Sequence, residues 1–375
     1  MKNLKQFIWR SLLSIPGFHT NRKIVVIESD DWGSIRMPSR KVYNQLLKKG
    51  IRVDNLAFNK FDSLASESDL KALFDVLKSV KDKNGNPAII TANTIVANPD
   101  FEKIRKSNFI EYQYEPFTET FKRYPEHTGA FGLWQQGIAN EVFKPQFHGR
   151  EHLNVTRWMK ALKDNVGNAR IAFELGMFDL SEGNQITTDS YMDSLNFEHE
   201  GELEFQRKSI VEGLDLFEKL FGYRSATFIA PCYIWDNRLN ATLAEKGVKA
   251  LQGGWFQMKP TVDSKHVFKK EFHYIGEYNK FKQRYLVRNV SFEPSINTSA
   301  ESVNEVLQRM EFLFRMKKPV IISSHRLNFI GFIDKNNRDK NLRLFAELLR
   351  EIVKRWPDVE FVSSDKLVNI IENNV

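Results

Sequence analysis

Two acids and two histidines are the residues of this chain whose types and spacing could do chemistry. Asp30-Asp31 follows the apolar run Ile24-Val25-Val26-Ile27, and His148 and His152 stand four apart in His148-Gly149-Arg150-Glu151-His152. That spacing puts both imidazoles on one face of a single helical turn. Two neutral imidazoles and one carboxylate form the ligand set of an open zinc-type site, and a second carboxylate beside them supplies a base. A metal and a base together suggest hydrolysis. Each part has a plainer reading when taken alone. Adjacent acids at a strand end often cap a turn or the next helix, and histidines at this spacing recur in chains that bind no metal. His325 closes Ile321-Ile322-Ser323-Ser324, an apolar strand ending in a polar cluster. Trp32, Tyr233 and Trp235 lie beside these positions, where aromatic faces either stack on sugar rings or fill the core.

The elements that must hold these residues alternate. Strands are predicted over 23–27, 87–92, 144–147, 226–230, 249–252, 285–290, 319–323 and 359–362. Helices are predicted over 39–49, 67–81, 153–163, 202–220, 237–246, 302–316, 341–355 and 364–372. The second helix shows Leu70, Leu73, Phe74 and Leu77 at helical spacing, and Gly50 and Gly247 stop their helices. Residues 171–178 read as a strand or a short helix, and 98–142 is aromatic-rich and unassigned. Such alternation implies parallel strands with helices packed outside, and active residues at the C-terminal strand ends. Asp30-Asp31, Tyr233 and His325 each follow a strand. In strand register Glu28 and Asp30 share a side while Asp31 points elsewhere, so the two acids are expected to hold different roles.

The chain has 375 residues, 42% hydrophobic and 27% charged, with no linker, low-complexity tract or internal repeat, which points to one elaborated domain. Net charge is +8 and the pI about 9.2, but Lys and Arg are dispersed, so no nucleic-acid partner is expected. The single cysteine, Cys232, allows no intrachain disulfide and fits a reducing compartment. Its apolar neighbours mark it as an inert thiol. Residues 1–18 hold an apolar stretch too short to span a membrane and interrupted by Arg10, with no small-residue cleavage site. A short helix packed on the domain is the favoured reading. The alternative is an interfacial helix with Trp9, Leu12 and Leu13 dipping into a membrane. The expected location is therefore the cytoplasm, with the inner membrane face as the alternative.

The order of these motifs resembles the polysaccharide deacetylase family, also called NodB-like or carbohydrate esterase family 4. The family's Thr-Phe-Asp-Asp stands here as Glu28-Ser29-Asp30-Asp31, its His-x3-His as His148 to His152, and its Pro-Tyr loop as Phe228-Ile229-Ala230-Pro231-Cys232-Tyr233. Asn237, Leu243 and Gly247 follow as the family has them, and His325 ends the last motif. The resemblance runs from about Lys23 to Val362. It implies an α/β fold, a distorted (β/α)7 barrel, over 23–375 behind an N-terminal helical segment 1–22, with insertions about 33–140 and 255–285. It also implies metal-dependent removal of N- or O-acetyl groups from a carbohydrate. Asp31, His148 and His152 would bind the metal, Asp30 would be the base and His325 the acid, with an N–H of the Pro231–Tyr233 loop on the oxyanion. Substrate contacts are expected from Trp32, Tyr233, Trp235 and Arg326. The ligand set suits zinc, and also cobalt, nickel or iron. Two departures stand out. The arginine that holds the base in the third motif is replaced by Ile229-Ala230, leaving Arg36, Arg288 and Arg326 as spatial substitutes. The Asp-rich fourth motif has only Arg288-Asn289-Val290-Ser291-Phe292-Glu293 near its place. The rival readings are an amidohydrolase for a non-sugar amide and a carbohydrate-binding pseudoenzyme.

Overall fold

The β-branched run Ile24–Ile27 makes a strand that is buried on both faces, as a central parallel strand must be. In the computed structural model, which describes residues 9–180, 190–262, 264–296 and 303–373, this strand lies mid-sheet. In chain order the strands are β1 (Lys23–Trp32), β2 (Ile90–Ile95), β3 (Ala97–Pro99), β4 (Tyr114–Pro116), β5 (Phe143–Gly149), β6 (Thr227–Ile229) and β7 (Ala250–Gly253). They continue as β8 (Phe256–Thr261), β9 (Ser264–Phe272), β10 (Arg284–Val287), β11 (Val290–Ser291), β12 (Val320–His325) and β13 (Val359–Phe361). The main sheet runs β10-β7-β6-β5-β2-β1-β12-β11, all parallel, with β13 added to the start of β1. The pairs β3–β4 and β8–β9 stand apart as antiparallel ribbons.

The two edges of that sheet are one stretch of chain. Only Arg288 and Asn289 separate β10 from β11, so the segment pairs with β7 through its first half and with β12 through its second. Arg288 N–H donates to Gly253 O on one side, and Asn289 N–H to Ile321 O on the other. The sheet therefore curls into a barrel of seven staves, the (β/α)7 form that the family resemblance implies. The Asn289 side chain stitches the seam, donating to Pro319 O at 2.9 Å and accepting from Ile321 N–H at 2.9 Å.

Strand alternation sorts the side chains. Val25 and Ile27 of β1 pack outward with Leu70, Leu73, Phe345 and Leu349 from the helices Glu67–Lys78 and Lys335–Arg355. Ile24 and Val26 join a second cluster with Ile321, Leu286 and Leu367. Glu28 and Asp30 continue that second column toward the C-terminal strand ends. The helix predicted over 39–49 spans Arg40–Lys48, capped by Ser39, whose hydroxyl accepts from Val42 N–H. The ambiguous 171–178 stretch is helical over Ala169–Glu174. Residues 33–140 are not one insertion, because β2 inside them is a barrel stave. The β8–β9 ribbon within 255–285 had no sequence assignment.

Asn289→Ala would leave a buried N–H and a buried C=O at the seam without partners. A loss of about 2–4 kcal/mol is expected, measured by urea unfolding at unchanged native helicity.

Candidate active site

Adjacent residues on a regular strand point to opposite faces, yet Asp30 and Asp31 both reach the barrel mouth. The cause is a bulge. Ser29 pairs with Ala92 and Trp32 with Thr94, so Asp30 and Asp31 together oppose Asn93 alone. Asp31 takes up the extra length at φ 73°, in the left-handed region that Asp tolerates better than most residues. A second bulge faces the same strand. Thr94 pairs with Phe147 and Ile95 with Gly149, which leaves His148 as the extra residue. Gly149 at φ 133° then turns the chain toward His152. The two histidines are thus a strand end and the loop behind it, not one helical turn; the following helix begins only at Val155.

Both imidazole Nε2 atoms approach one carboxylate oxygen. His148 Nε2 lies 3.5 Å and His152 Nε2 3.4 Å from Asp31 Oδ1. Two ligand atoms about 2.1 Å from one tetrahedral ion stand about 3.4 Å apart, so these distances are the spacing of a metal ligand shell. His148 Nδ1 meets Ile229 O at 2.9 Å, which fixes the proton there and leaves Nε2 with its lone pair and no hydrogen-bond partner. Burial drives the His152 pKa down to about 3, keeping it neutral and fit to bind a cation. Burial raises the Asp31 pKa, but His148, His152 and the Arg36 charge outweigh it and hold the group well below the usual carboxylate range. The donor set and its spacing fit a divalent ion.

Asp30 is held separately. Arg288 grips both its oxygens, Nη2 to Oδ1 at 2.6 Å and Nη1 to Oδ2 at 2.7 Å, and Asn93 Nδ2 donates to Oδ1 at 2.7 Å. The arginine missing from the Ile229-Ala230 positions is therefore supplied by the seam. Arg288 also binds Glu28 at 2.6 Å and donates to the Tyr233 hydroxyl at 3.1 Å. Burial raises the Asp30 pKa, but Arg288 overrides it and keeps the group ionised. One guanidinium is shared by two carboxylates.

His325 pairs with Asp30 in the β1–β12 register, its Nε2 3.8 Å from Asp30 Oδ2. Its Nδ1 meets Glu293 Oε1 at 2.6 Å, and Asn328 fixes the other Glu293 oxygen at 2.7 Å. Burial lowers the His325 pKa, but Glu293 and then Asp30 outweigh it and push it up to about 10. With 24% of its side chain exposed, the imidazolium faces the mouth. Phe58 packs edge-on against its ring at 5.2 Å.

Of the expected substrate contacts, only Tyr233 joins this group. Trp32 is 1% exposed, wedged against Trp134 and Phe143 with its indole N–H on Ser29. Trp235 is 2% exposed and bonded to Asn240. Both offer core packing and no free face for a sugar. Arg326 is fully buried on Asp62, which Arg36 also approaches at 3.3 Å. Tyr233 N–H is spent on Ala230 O within its own turn, so it is not the oxyanion donor expected of this loop. Cys232 is held protonated by burial, as an inert thiol should be. Asn93 and Phe58 went unnoticed in the sequence, since only the strand register and the tertiary fold bring them to the site, while Glu28 was read only as sharing a side with Asp30.

No family model and no curated protein matches the chain. Among solved structures it is similar to a protein of Mycobacterium smegmatis described as a polysaccharide deacetylase, at 10% identity over 96% of this chain and 94% of that one, TM-score 0.47. It is also similar to the 4-alpha-glucanotransferase of Thermococcus litoralis, at 9% identity over 93% of this chain and 40% of that one, TM-score 0.48. A third is PuuE allantoinase, at 11% identity over 94% and 93%, TM-score 0.45. Likeness at this level assigns no activity; that rests on the geometry of the site itself.

Asp62→Asn would strand two buried guanidinium groups. A stability loss of about 3–5 kcal/mol is expected in chemical denaturation, with Arg326 acting as a structural rather than a substrate residue. The barrel brings Asp30, Asp31, His148, His152 and His325 to one opening.

Proposed function

We propose that this protein is a metal-dependent hydrolase that removes acetyl groups from a carbohydrate. The observation that carries this reading is one mouth holding three separately built parts. These are the Asp31/His148/His152 ligand set, the Asp30 base clamped by Arg288, and the charged His325 clamped by Glu293. A divalent ion held by the first part would supply Lewis acidity, polarising a carbonyl and making water a nucleophile at neutral pH.

The chain's own residues supply the proton transfers. Asp30 is ionised and takes the proton of the attacking water at Oδ2, the oxygen 3.8 Å from His325 Nε2. His325 carries its proton on Nε2 toward the mouth and delivers it to the departing amine or alcohol. Glu293 fixes the tautomer and stabilises the imidazolium. The two groups sit side by side with their affinities pushed apart, the usual arrangement of an acid and a base that work in sequence. The binding-only reading rested on a missing arginine, and Arg288 fills that place. N-acetyl and O-acetyl sugars of cell-surface or capsular glycans are the substrates to screen, with small amides as the contrast.

Asp31→Asn is expected to strip bound divalent metal from the purified protein and abolish acetate release from acetylated oligosaccharides. Elemental analysis finding no metal in the native protein, with no acetate released after zinc or cobalt is added, would sink the proposal. Glu293→Gln tests the acid. Because the folded His325 pKa is raised, its ion pair stabilises the protein fully below the ordinary pKa of about 6.5, and that contribution is lost as pH rises through about 10. The variant is expected to bring the His325 titration down toward the ordinary value, read by NMR of the imidazole. The alkaline limb of the activity profile should move to lower pH with it.

A further inference from the structure

Two segments far apart in sequence meet on the outside of the barrel. The arm before β1 is helical over 9–13 and then runs to β1 against residues 274–276. Phe18 N–H donates to Ile275 O at 2.7 Å. At Gly17, φ is 90°, and a Cβ would lie only 2.2 Å from Ile275 O, so only glycine allows this approach. Leu13 and Pro16 of the arm and Trp255 and Tyr274 of the other segment line one groove. The arm is pinned by buried cations. Arg309 donates to Arg10 O, Ser11 Oγ and Ser14 Oγ, and Lys318 to Pro16 O and Gly17 O.

The pinned arm nevertheless turns apolar side chains outward. Of thirteen large apolar side chains exposed among the described residues, eight fall in the arm and in residues 255–285. They include Trp9, Leu12 and Ile15, three apart along the arm, and Phe256 and Phe272, which pair on one face of the β8–β9 ribbon. The same two segments hold the net charge. Residues 1–22 contain Lys2, Lys5, Arg10 and Arg22 and no acid, a net +4. Residues 255–285 contain seven Lys and Arg against Asp263, Glu271 and Glu277, again +4. Together they equal the whole +8 of the chain, with Arg22 paired to Glu360 and Arg284 buried against Tyr278, which leaves the surplus on the remaining lysines and Arg10. Lys2 and Lys5 lie outside the described residues and enter by charge alone.

We propose that this face docks on an anionic lipid surface. Concentrated exposed apolar side chains mark an interaction site. Trp, Leu and Ile with Lys and Arg around them are the composition of an interfacial anchor, and basic residues near a bilayer are drawn to acidic lipid. A polyanion in water would meet the lysines but leave Trp9, Leu12, Ile15 and Phe272 without a role. The ribbon also reaches the mouth, since Trp235 N–H donates to Met258 O next to the Pro231–Tyr233 loop. The docked face therefore adjoins the site.

The test is co-sedimentation of the full chain with vesicles of equal parts phosphatidylcholine and phosphatidylglycerol, and with phosphatidylcholine alone, at about 0.1 M salt. Binding is expected to the acidic vesicles and to weaken at higher salt. It should fall about tenfold or more for Trp9→Ser with Leu12→Ser, and likewise for Lys269→Glu with Lys270→Glu, with unchanged circular dichroism. No binding to the acidic vesicles overturns the proposal. So does binding that ignores the Trp9/Leu12 change and is displaced by dextran sulfate, which would make the face a polyanion surface.

Discussion

The structure depends on a guanidinium at the barrel seam. Glu28, Asp30 and Arg288 are all buried, and isolated charges at such depth would be prohibitively costly. They are tolerated because Arg288 meets both carboxylates at hydrogen-bond distance. Arg288 can do so only when its segment lies between β7 and β12. Closing the barrel, pairing its interior acids and orienting Asp30 are therefore one physical event. The column below continues the theme, with Ser364 donating to Glu28 and Gln252 donating to Ser364. The interior is apolar at the bottom and polar above.

The second constraint is the paired bulges against β2. A regular β1 would send Asp31 outward into the helix layer, and a regular β5 would leave His148 out of step with it. One extra residue in each strand brings base, carboxylate ligand and imidazole to a single opening. Both departures from ideal geometry fall at the candidate site. Local conflict with strand rules is a mark of a functional site in an otherwise consistent fold.

Alternation of strands and helices made the α/β barrel legible in the sequence, because parallel strands buried on both faces leave long apolar runs. Asp30, Asp31 and His325 were legible for a related reason, since each follows such a run, whereas His148 and His152 were legible by their spacing. Register was not legible. Nothing in Asn93 marks it as the residue opposite a bulge, and a helical turn fits the spacing of His148 and His152 as well as a strand end does. Arg288 could be named as a candidate but not chosen over Arg36 or Arg326, because which arginine reaches Asp30 depends on where the sheet closes. The aromatics misled for the opposite reason. Trp32 and Trp235 neighbour the site in sequence, but pleating turns them into the packing behind it.

The seam sets where this chain can change length. Between β10 and β11 there are only Arg288 and Asn289, one reaching inward to the base and the other stitching the strands. Inserting or deleting a residue there would rotate the arginine out of the barrel and part the strands in the same step. The β8–β9 ribbon a few residues upstream carries no stave, so its tip can lengthen, shorten or change composition without moving the catalytic groups. In a lineage of such proteins, variation in size would collect in the ribbon, while the interval between the arginine and the strand that follows it would stay fixed.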